Sequence, residues 1–271
     1  MGEDIESLKE RARRIRVHIV RMAGISDTHA GGSLSLADIA AALYFRVLRY
    51  DAERPAWEDR DRVVLSKGHC VPAFYGAFAE LGLLGPDEPL RHLATDGRLP
   101  GHANLRTPGI DATTGSLGHG LSMGVGMALA GRADRRSFRT FVVLGDGELQ
   151  EGSCWEGAMS AGHYGLDALA AIVDCNGYQA RSDVSTEGTM ALEPLSDKWM
   201  SFGWAVRRID GHDMSAVVDT LEAVPLEPGK PSAVIADTVK GRGVSFLERG
   251  HDHYSRLTGE QAAAALQELG E

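Results

Sequence analysis

Asp146 and Asn176 are the residues whose types and spacing most directly suggest chemistry. Asp146 follows the apolar run Thr140-Phe141-Val142-Val143-Leu144 inside Gly145-Asp146-Gly147, and Asn176 follows Leu169-Ala170-Ala171-Ile172-Val173 and opens Asn176-Gly177-Tyr178. About thirty residues separate the two, one βαβ step, which in a parallel sheet puts both at the ends of successive strands. A crevice at that edge is where open α/β sheets hold ligands. A carboxylate, an amide oxygen and a backbone carbonyl make a hard, all-oxygen set suited to Mg²⁺ or Ca²⁺ rather than zinc. Either motif alone reads equally as a turn; together they suggest a divalent metal holding a phosphorylated cofactor.

Histidine is the second signal. Of ten in the chain, His29, His69, His102 and His253 fall in Gly-containing or polar segments, where an imidazole can exchange protons near neutral pH. His18, His92, His163 and His251 read as structural or surface residues. Cys175 beside Asn176 is either a nucleophile or a core cysteine at a strand end; nothing basic adjoins it.

The elements that must position these residues alternate. Ile5, Leu8, Ala12, Ile15, Ile19 and Met22 recur at helical steps. Residues 26–33 are small and polar and read as a loop carrying His29. Ser35 and Asp38 then read as caps of a second helix whose buried side is Leu36, Ile39, Leu43 and Val47. Val63-Val64-Leu65 reads as a buried strand with His69 beyond its end, and 71–84 as a helix. Residues 85–108 form an irregular, Pro- and Gly-punctuated stretch, of a length that favours function. Gly115-Ser116-Leu117-Gly118 precedes a helix of small residues at 121–131, and a glycine-rich turn before a helix can cradle a diphosphate. Helices at 195–202 and 214–224, strands at 204–209 and 232–237, and a final helix with Thr258 and Gln261 at capping-box spacing complete the chain. The pattern predicts an α/β fold: one doubly wound, mainly parallel sheet flanked by helices, with residues 1–271 as a single domain.

Composition narrows the function. With 271 residues, 43% of them hydrophobic, the chain can bury a sizeable core. A net charge of −10 argues against nucleic-acid or anionic-membrane partners. Three cysteines without a CxxC suggest a reducing, cytoplasmic setting, and no apolar run approaches a membrane span.

Taken together the motifs resemble transketolase, specifically the N-terminal half of a transketolase made as two chains. They are His29-Ala30-Gly31-Gly32-Ser33-Leu34, Leu65-Ser66-Lys67-Gly68-His69, Leu99-Pro100-Gly101-His102, Thr114-Gly115-Ser116-Leu117-Gly118, Gly145-Asp146-Gly147-Glu148-Leu149-Gln150-Glu151-Gly152, Leu192-Glu193-Pro194-Leu195, Asp210-Gly211-His212-Asp213 and Lys240-Gly241-Arg242-Gly243-Val244-Ser245-Phe246. The resemblance implies thiamine diphosphate, bound through Mg²⁺ or Ca²⁺ by Asp146, Asn176 and the carbonyl of Tyr178. It implies cofactor contacts from Gly115, Ser116, Leu117, Gly145, Gly147 and Glu148, with His69 and His253 near the cofactor. His29 and His102 match histidines that hold substrate hydroxyls and move protons, and Glu151 and Glu156 match acids lying between paired active sites. His119, Ala180 and Arg181-Ser182-Asp183 depart from the family pattern.

The resemblance further implies transfer of a two-carbon ketol unit from a ketose, or ketose phosphate, to an aldose acceptor. It implies a C-terminal partner subunit, in an α2β2 assembly, supplying the rest of the site. Three other readings are the α subunit of a 2-oxoacid dehydrogenase, a relative delivering its two-carbon unit to a carrier protein or unusual sugar, and a non-catalytic scaffold. The four loop histidines and the Lys240–Phe246 segment favour transketolase.

Overall fold

The computed structural model describes residues 2–180, 184–250 and 253–271. In chain order the helices and strands are α1 (Ile5–Ile25), α2 (Ala30–Ser35), α3 (Ala37–Ala42), β1 (Arg62–Leu65), α4 (Val71–Leu81), α5 (Gly120–Ala133), β2 (Thr140–Gly145), α6 (Gly152–His163) and β3 (Leu169–Cys175). There follow α7 (Thr186–Thr189), α8 (Leu195–Ser201), β4 (Ala205–Asp210), α9 (Met214–Glu222), β5 (Ser232–Asp237), α10 (Ser245–Gly250) and α11 (Gly259–Glu268). Among the described residues five strands form one sheet in the order β1-β2-β3-β5-β4, and every pair is parallel.

Period-two alternation divides the core. Val63, Leu65, Phe141, Val143, Ile172 and Val234 face one layer, packed with residues of α1, α3, α4 and α9. Val64, Val142, Leu144, Ala171, Val173 and Ile235 face the other, with α5, α6 and α8. Both faces are buried, which is why the central strands read as unbroken apolar runs rather than alternating ones. The small residues of α5 let it lie close: a Cβ on Gly124 would stand 2.4 Å from Val142 Cγ2. With both faces covered, polar side chains that act together collect at the carboxyl edge of the sheet.

Most expected elements form within a few residues of their predicted bounds. α1 buries Leu8, Ala12, Ile15, Ile19 and Met22, and Thr258 and Gln261 make the capping box of α11. Short helices also form at α7 and α10, where no helix was expected, and one stretch at the site differs. Residues 30–33, read as loop, belong to the helix α2, and His29 stands at its N-terminal end rather than in mid-loop. Gly32 explains the difference, because a Cβ there would lie 2.8 Å from Cys70 Sγ; glycine serves close packing in a buried helix, not a turn. Ser35 and Asp38 are not caps. Ser35 Oγ lies 2.7 Å from Asp174 Oδ2 and 2.9 Å from Gly32 O, two acceptors for its one proton, while Asp38 pairs with buried Arg16 and with His212 Nδ1 at 2.7 Å. Among the described residues no helix is long and apolar enough to cross a membrane.

Candidate functional site

Parallel pairing sets Gly145 beside Asp174, so the residues just beyond β2 and β3 emerge side by side, as the sequence spacing required. Asp146 spans the gap. Its Oδ1 accepts from Gly147 N at 2.8 Å and its Oδ2 from Gly177 N at 2.9 Å. Gly177 has φ of +79°, a left-handed turn that directs its amide back toward the neighbouring strand end. Asn176 Oδ1 accepts from Tyr178 N at 3.1 Å. Asp146 and Asn176 are 7% and 5% exposed. Burial raises the Asp146 carboxyl above its ordinary value, with the charge of Lys67 pulling the other way. A cation bound beside it would favour the charged form and offset that shift.

These residues line one cavity of about 250 Å³. Its walls include His29, His69, His102 and His253, Gly115 and Leu117 of the glycine-rich turn, Gly145, Gly147 and Glu148, and Asn176 and Tyr178. Four separate segments deliver the imidazoles. His29 precedes α2, His69 lies in a short 3-10 turn after β1, His102 lies in the irregular stretch, and His253 precedes α11. The His29 ring centroid is 5.0 Å from His69, 5.6 Å from His102 and 5.0 Å from His253. Gly115, at φ +147°, backs the cluster, since a Cβ there would meet His102 Cδ2 at 3.1 Å.

Burial, then the neighbouring His253 and His102, pull His29 down to about 3. Burial, Lys240 and Lys67 pull His253 to about 4, and burial draws His69 well below its usual value and lowers His102. The sequence suggested imidazoles poised near neutrality. Burial in one cavity instead favours their neutral forms, each offering one N–H donor and one acceptor.

Residues 7–271 match the family model of the transketolase thiamine diphosphate-binding domain. The chain belongs to the transketolase family. It is 45% identical to a 6-deoxy-6-sulfo-D-fructose transketolase subunit of Clostridium sp. (strain MSTE9), over 99% of this chain and 98% of that one. It is 38% identical to an apulose-4-phosphate transketolase subunit of Phocaeicola vulgatus, over 99% and 94%. A solved transketolase variant from Pichia stipitis superposes with a TM-score of 0.89 at 29% identity, over 99% of this chain and 41% of that one. The chain is thus as long as the subunit-type relatives and spans about two-fifths of that longer transketolase.

Membership of the transketolase family leaves particular residues to place. Ser116 is exposed and does not line the cavity, although Gly115 and Leu117 on either side do. Glu148 lines it, yet its carboxylate accepts from Ser66 Oγ, Gly118 N at 2.9 Å and Gly145 N at 3.1 Å, which ties together the loops after β1, before α5 and at β2. Glu148 thereby braces the cavity wall. Glu151 and Glu156 are exposed at the start and on the surface of α6, outside the cavity. His18 bonds Glu80 and His92 bonds Ser26, as structural histidines do. Arg181-Ser182-Asp183 and His251 lie outside the described residues. Cys175 lies outside the cavity wall, and burial pushes its thiol up, the reverse of what a nucleophile needs.

Sequence reasoning missed Lys67, Gln179 and Lys240 on the cavity wall, and Tyr254, whose ring centroid is 4.5 Å from His29. Lys67 Nζ pairs with Asp174 Oδ2 at 2.5 Å, and Lys240 Nζ donates to Gln179 O at 3.0 Å. Burial alone would lower the Lys67 ammonium, but Asp174 outweighs it and the net shift is upward. A signal existed: Lys67-Gly68 and Lys240-Gly241 follow β1 and β5 at the same sheet edge as Asp146.

Among the described residues no group of three or more His, Cys, Asp or Glu side chains is arranged to hold a metal. The cavity wall here offers the carboxylate of Asp146 and the amide oxygen of Asn176, with Tyr178 beside them. Mg²⁺ accepts such a set when phosphate oxygens and waters complete its shell, so the residues fit a metal that arrives with a diphosphate.

Proposed function

We infer that this chain is the diphosphate-binding subunit of a two-chain transketolase, which moves a two-carbon ketol unit from a ketose to an aldose acceptor. The observation that carries the reading is the meeting of Asp146 and Asn176 with four histidines on one cavity, in a chain whose full-length relatives are named as transketolase subunits. In this reading Asp146, Asn176 and the Tyr178 carbonyl hold Mg²⁺ or Ca²⁺, and Gly115, Ser116, Leu117, Gly145 and Gly147 offer backbone to the diphosphate. Lys67 and Lys240 add positive charge to the same wall. Thiamine diphosphate, when bound, supplies the carbanion chemistry that cleaves the bond beside the ketose carbonyl.

The chain's own part is binding and proton movement. His29 and His102 are the histidines assigned to substrate hydroxyls, and His69 and His253 stand nearer the cofactor. A neutral imidazole accepts a proton from a hydroxyl through one nitrogen and donates a hydrogen bond through the other, so the cluster serves both directions of a reversible transfer. Relatives named for sulfonated and phosphorylated ketoses support a sugar with an anionic end as substrate. Residues 1–271 act as one unit, supported by α1 and α11 packing together at one side of the sheet. A C-terminal subunit completes the site in an α2β2 assembly in the cytoplasm.

The test is ketol transfer by this chain with its co-purified partner, with and without thiamine diphosphate and Mg²⁺. Asp146→Ala should abolish Mg²⁺-dependent cofactor binding in calorimetry and lower turnover by roughly 10²-fold or more. Full turnover by this chain alone, or by Asp146→Ala, would sink the reading.

A further inference from the structure

Asp174 belongs to none of the roles above, yet it is fully buried two residues before Asn176 on β3. Residues two apart on a strand share a face, so both side chains rise toward the cavity floor. Asp174 Oδ2 accepts from Lys67 Nζ at 2.5 Å, Ser35 Oγ at 2.7 Å and Asn176 Nδ2 at 3.3 Å, and its Oδ1 accepts from Thr238 Oγ1. These donors come from the ends of β1, α2, β3 and β5, four elements that meet under the cavity. Lys67 balances the carboxylate's charge, as a buried carboxylate requires.

The consequence falls on the Asn176 amide. Its Nδ2 faces two acceptors, Asp174 Oδ2 and Ser35 Oγ at 3.4 Å, while its Oδ1 accepts from Tyr178 N. Rotating the amide by half a turn would set Oδ1 against the Asp174 carboxylate and Nδ2 against the Tyr178 N–H. Both contacts would be repulsive. The rotated form would also present an NH₂ group where a cation needs an oxygen.

We propose that Asp174 is a positioning residue: it locks the Asn176 carboxamide with nitrogen inward and oxygen outward, and so makes Asn176 a cation ligand. This rests on the metal-diphosphate reading of the site and adds the group that orients the ligand. It assigns Ser35 a supporting part, as donor to Asp174 and second acceptor for Nδ2. Removing an outer-shell partner of a metal ligand typically weakens metal binding by roughly 10- to 100-fold.

The experiment is calorimetric titration of Mg²⁺ into the full chain in the presence of inorganic pyrophosphate, paired with titration of pyrophosphate without metal. Asp174→Asn should weaken Mg²⁺ by roughly 10-fold or more, and Ser35→Ala, which keeps the Lys67–Asp174 pair, a few-fold. Ser35→Thr, which retains the hydroxyl, should restore wild-type binding. Metal-free pyrophosphate affinity should be unchanged in the Ser35 variants, a split that a general loosening of the fold would not produce. The Asn176 side-chain NH₂, followed by ¹⁵N NMR, should exchange slowly with solvent in the wild type and faster in both weakened variants. Should Asp174→Asn fail to fold, the Ser35 pair decides. Wild-type Mg²⁺ affinity in Ser35→Ala, or in a folded Asp174→Asn, overturns the proposal and leaves the transketolase reading standing. Absence of Mg²⁺ binding by the wild-type chain overturns the proposal together with the metal-diphosphate reading of the site on which it rests.

Discussion

The strand ends and the histidine cluster share a cavity but are held in opposite ways. At the strand ends, Asp146, Asp174, Asn176 and Lys67 are fixed by hydrogen bonds from backbone amides and from one another. The four imidazoles come from separate loops and helix ends and meet chiefly through ring contacts of 5.0 to 5.6 Å. In the proposed function this difference separates two tasks. A cation and a diphosphate are the same at every turnover and suit a rigid cradle, whereas sugars differ in length and stereochemistry and suit side chains that can adjust.

The sharpest way to break this comparison is at Lys67. Lys67→Met leaves Asp174 buried and unpaired, and should lower unfolding free energy by about 3–5 kcal/mol in urea denaturation. By contrast His102→Ala should cost under about 1 kcal/mol while reducing ketol transfer by roughly 10²-fold or more in the assembled enzyme. Equal stability losses in the two variants would erase the distinction between cradle and cluster.

A second, smaller effect is pH dependence. His29 and His253 sit at about 3 and about 4 against an ordinary 6.5, and His69 is also lowered, each chiefly by burial. Between those values and 6.5 the unfolded chain binds more protons than the folded one. The stability given by neutral imidazoles is therefore complete above pH 6.5 and is lost as pH falls toward 4. Asp146 and Glu148, raised by burial, act in the opposite sense at the acid end. Urea melts across this range should give a shallower slope of stability against pH for a His29→Gln, His253→Gln double variant than for wild type, and superimposable slopes would remove the histidines from the account.

Gly177→Ala is expected to have the smallest effect. Nothing lies within 4 Å of the added Cβ, but φ is +79°. Only backbone strain of about 1–2 kcal/mol opposes it, visible as a small drop in melting temperature. No drop would mean that the turn relaxes and the Asp146–Gly177 bond is not held by glycine.

The sheet was readable in the sequence because its central strands are buried on both faces and its helices carry clear apolar stripes. Asp146 and Asn176 were readable too, since a βαβ step constrains where two strand ends can meet. What stayed concealed depends on tertiary approach. Gly32 looks like a loop residue until Cys70 and Lys67 are seen against it, and Asp174 looks like one polar letter in a strand until Lys67 arrives from a distant part of the chain. The depressed basicity of the histidines was hidden for the same reason, because the burial that causes it comes from several segments meeting around one cavity. Ser116 is exposed between Gly115 and Leu117, which line the cavity, so any part it takes in the proposed site is through its backbone.

Thr28 and Ser255 exchange two backbone hydrogen bonds, at 3.0 and 3.2 Å, and Leu257 N bonds Ala23 O at 2.8 Å. This stitching carries His253 and Tyr254 to the cavity mouth, beside His29. During synthesis on the ribosome, then, the cradle residues are all present by the time β5 has emerged, while the fourth imidazole must wait for the segment before α11. A cut of the chain between β5 and the segment before α11 would therefore separate His253 from Asp146, Asp174, Asn176 and Lys67.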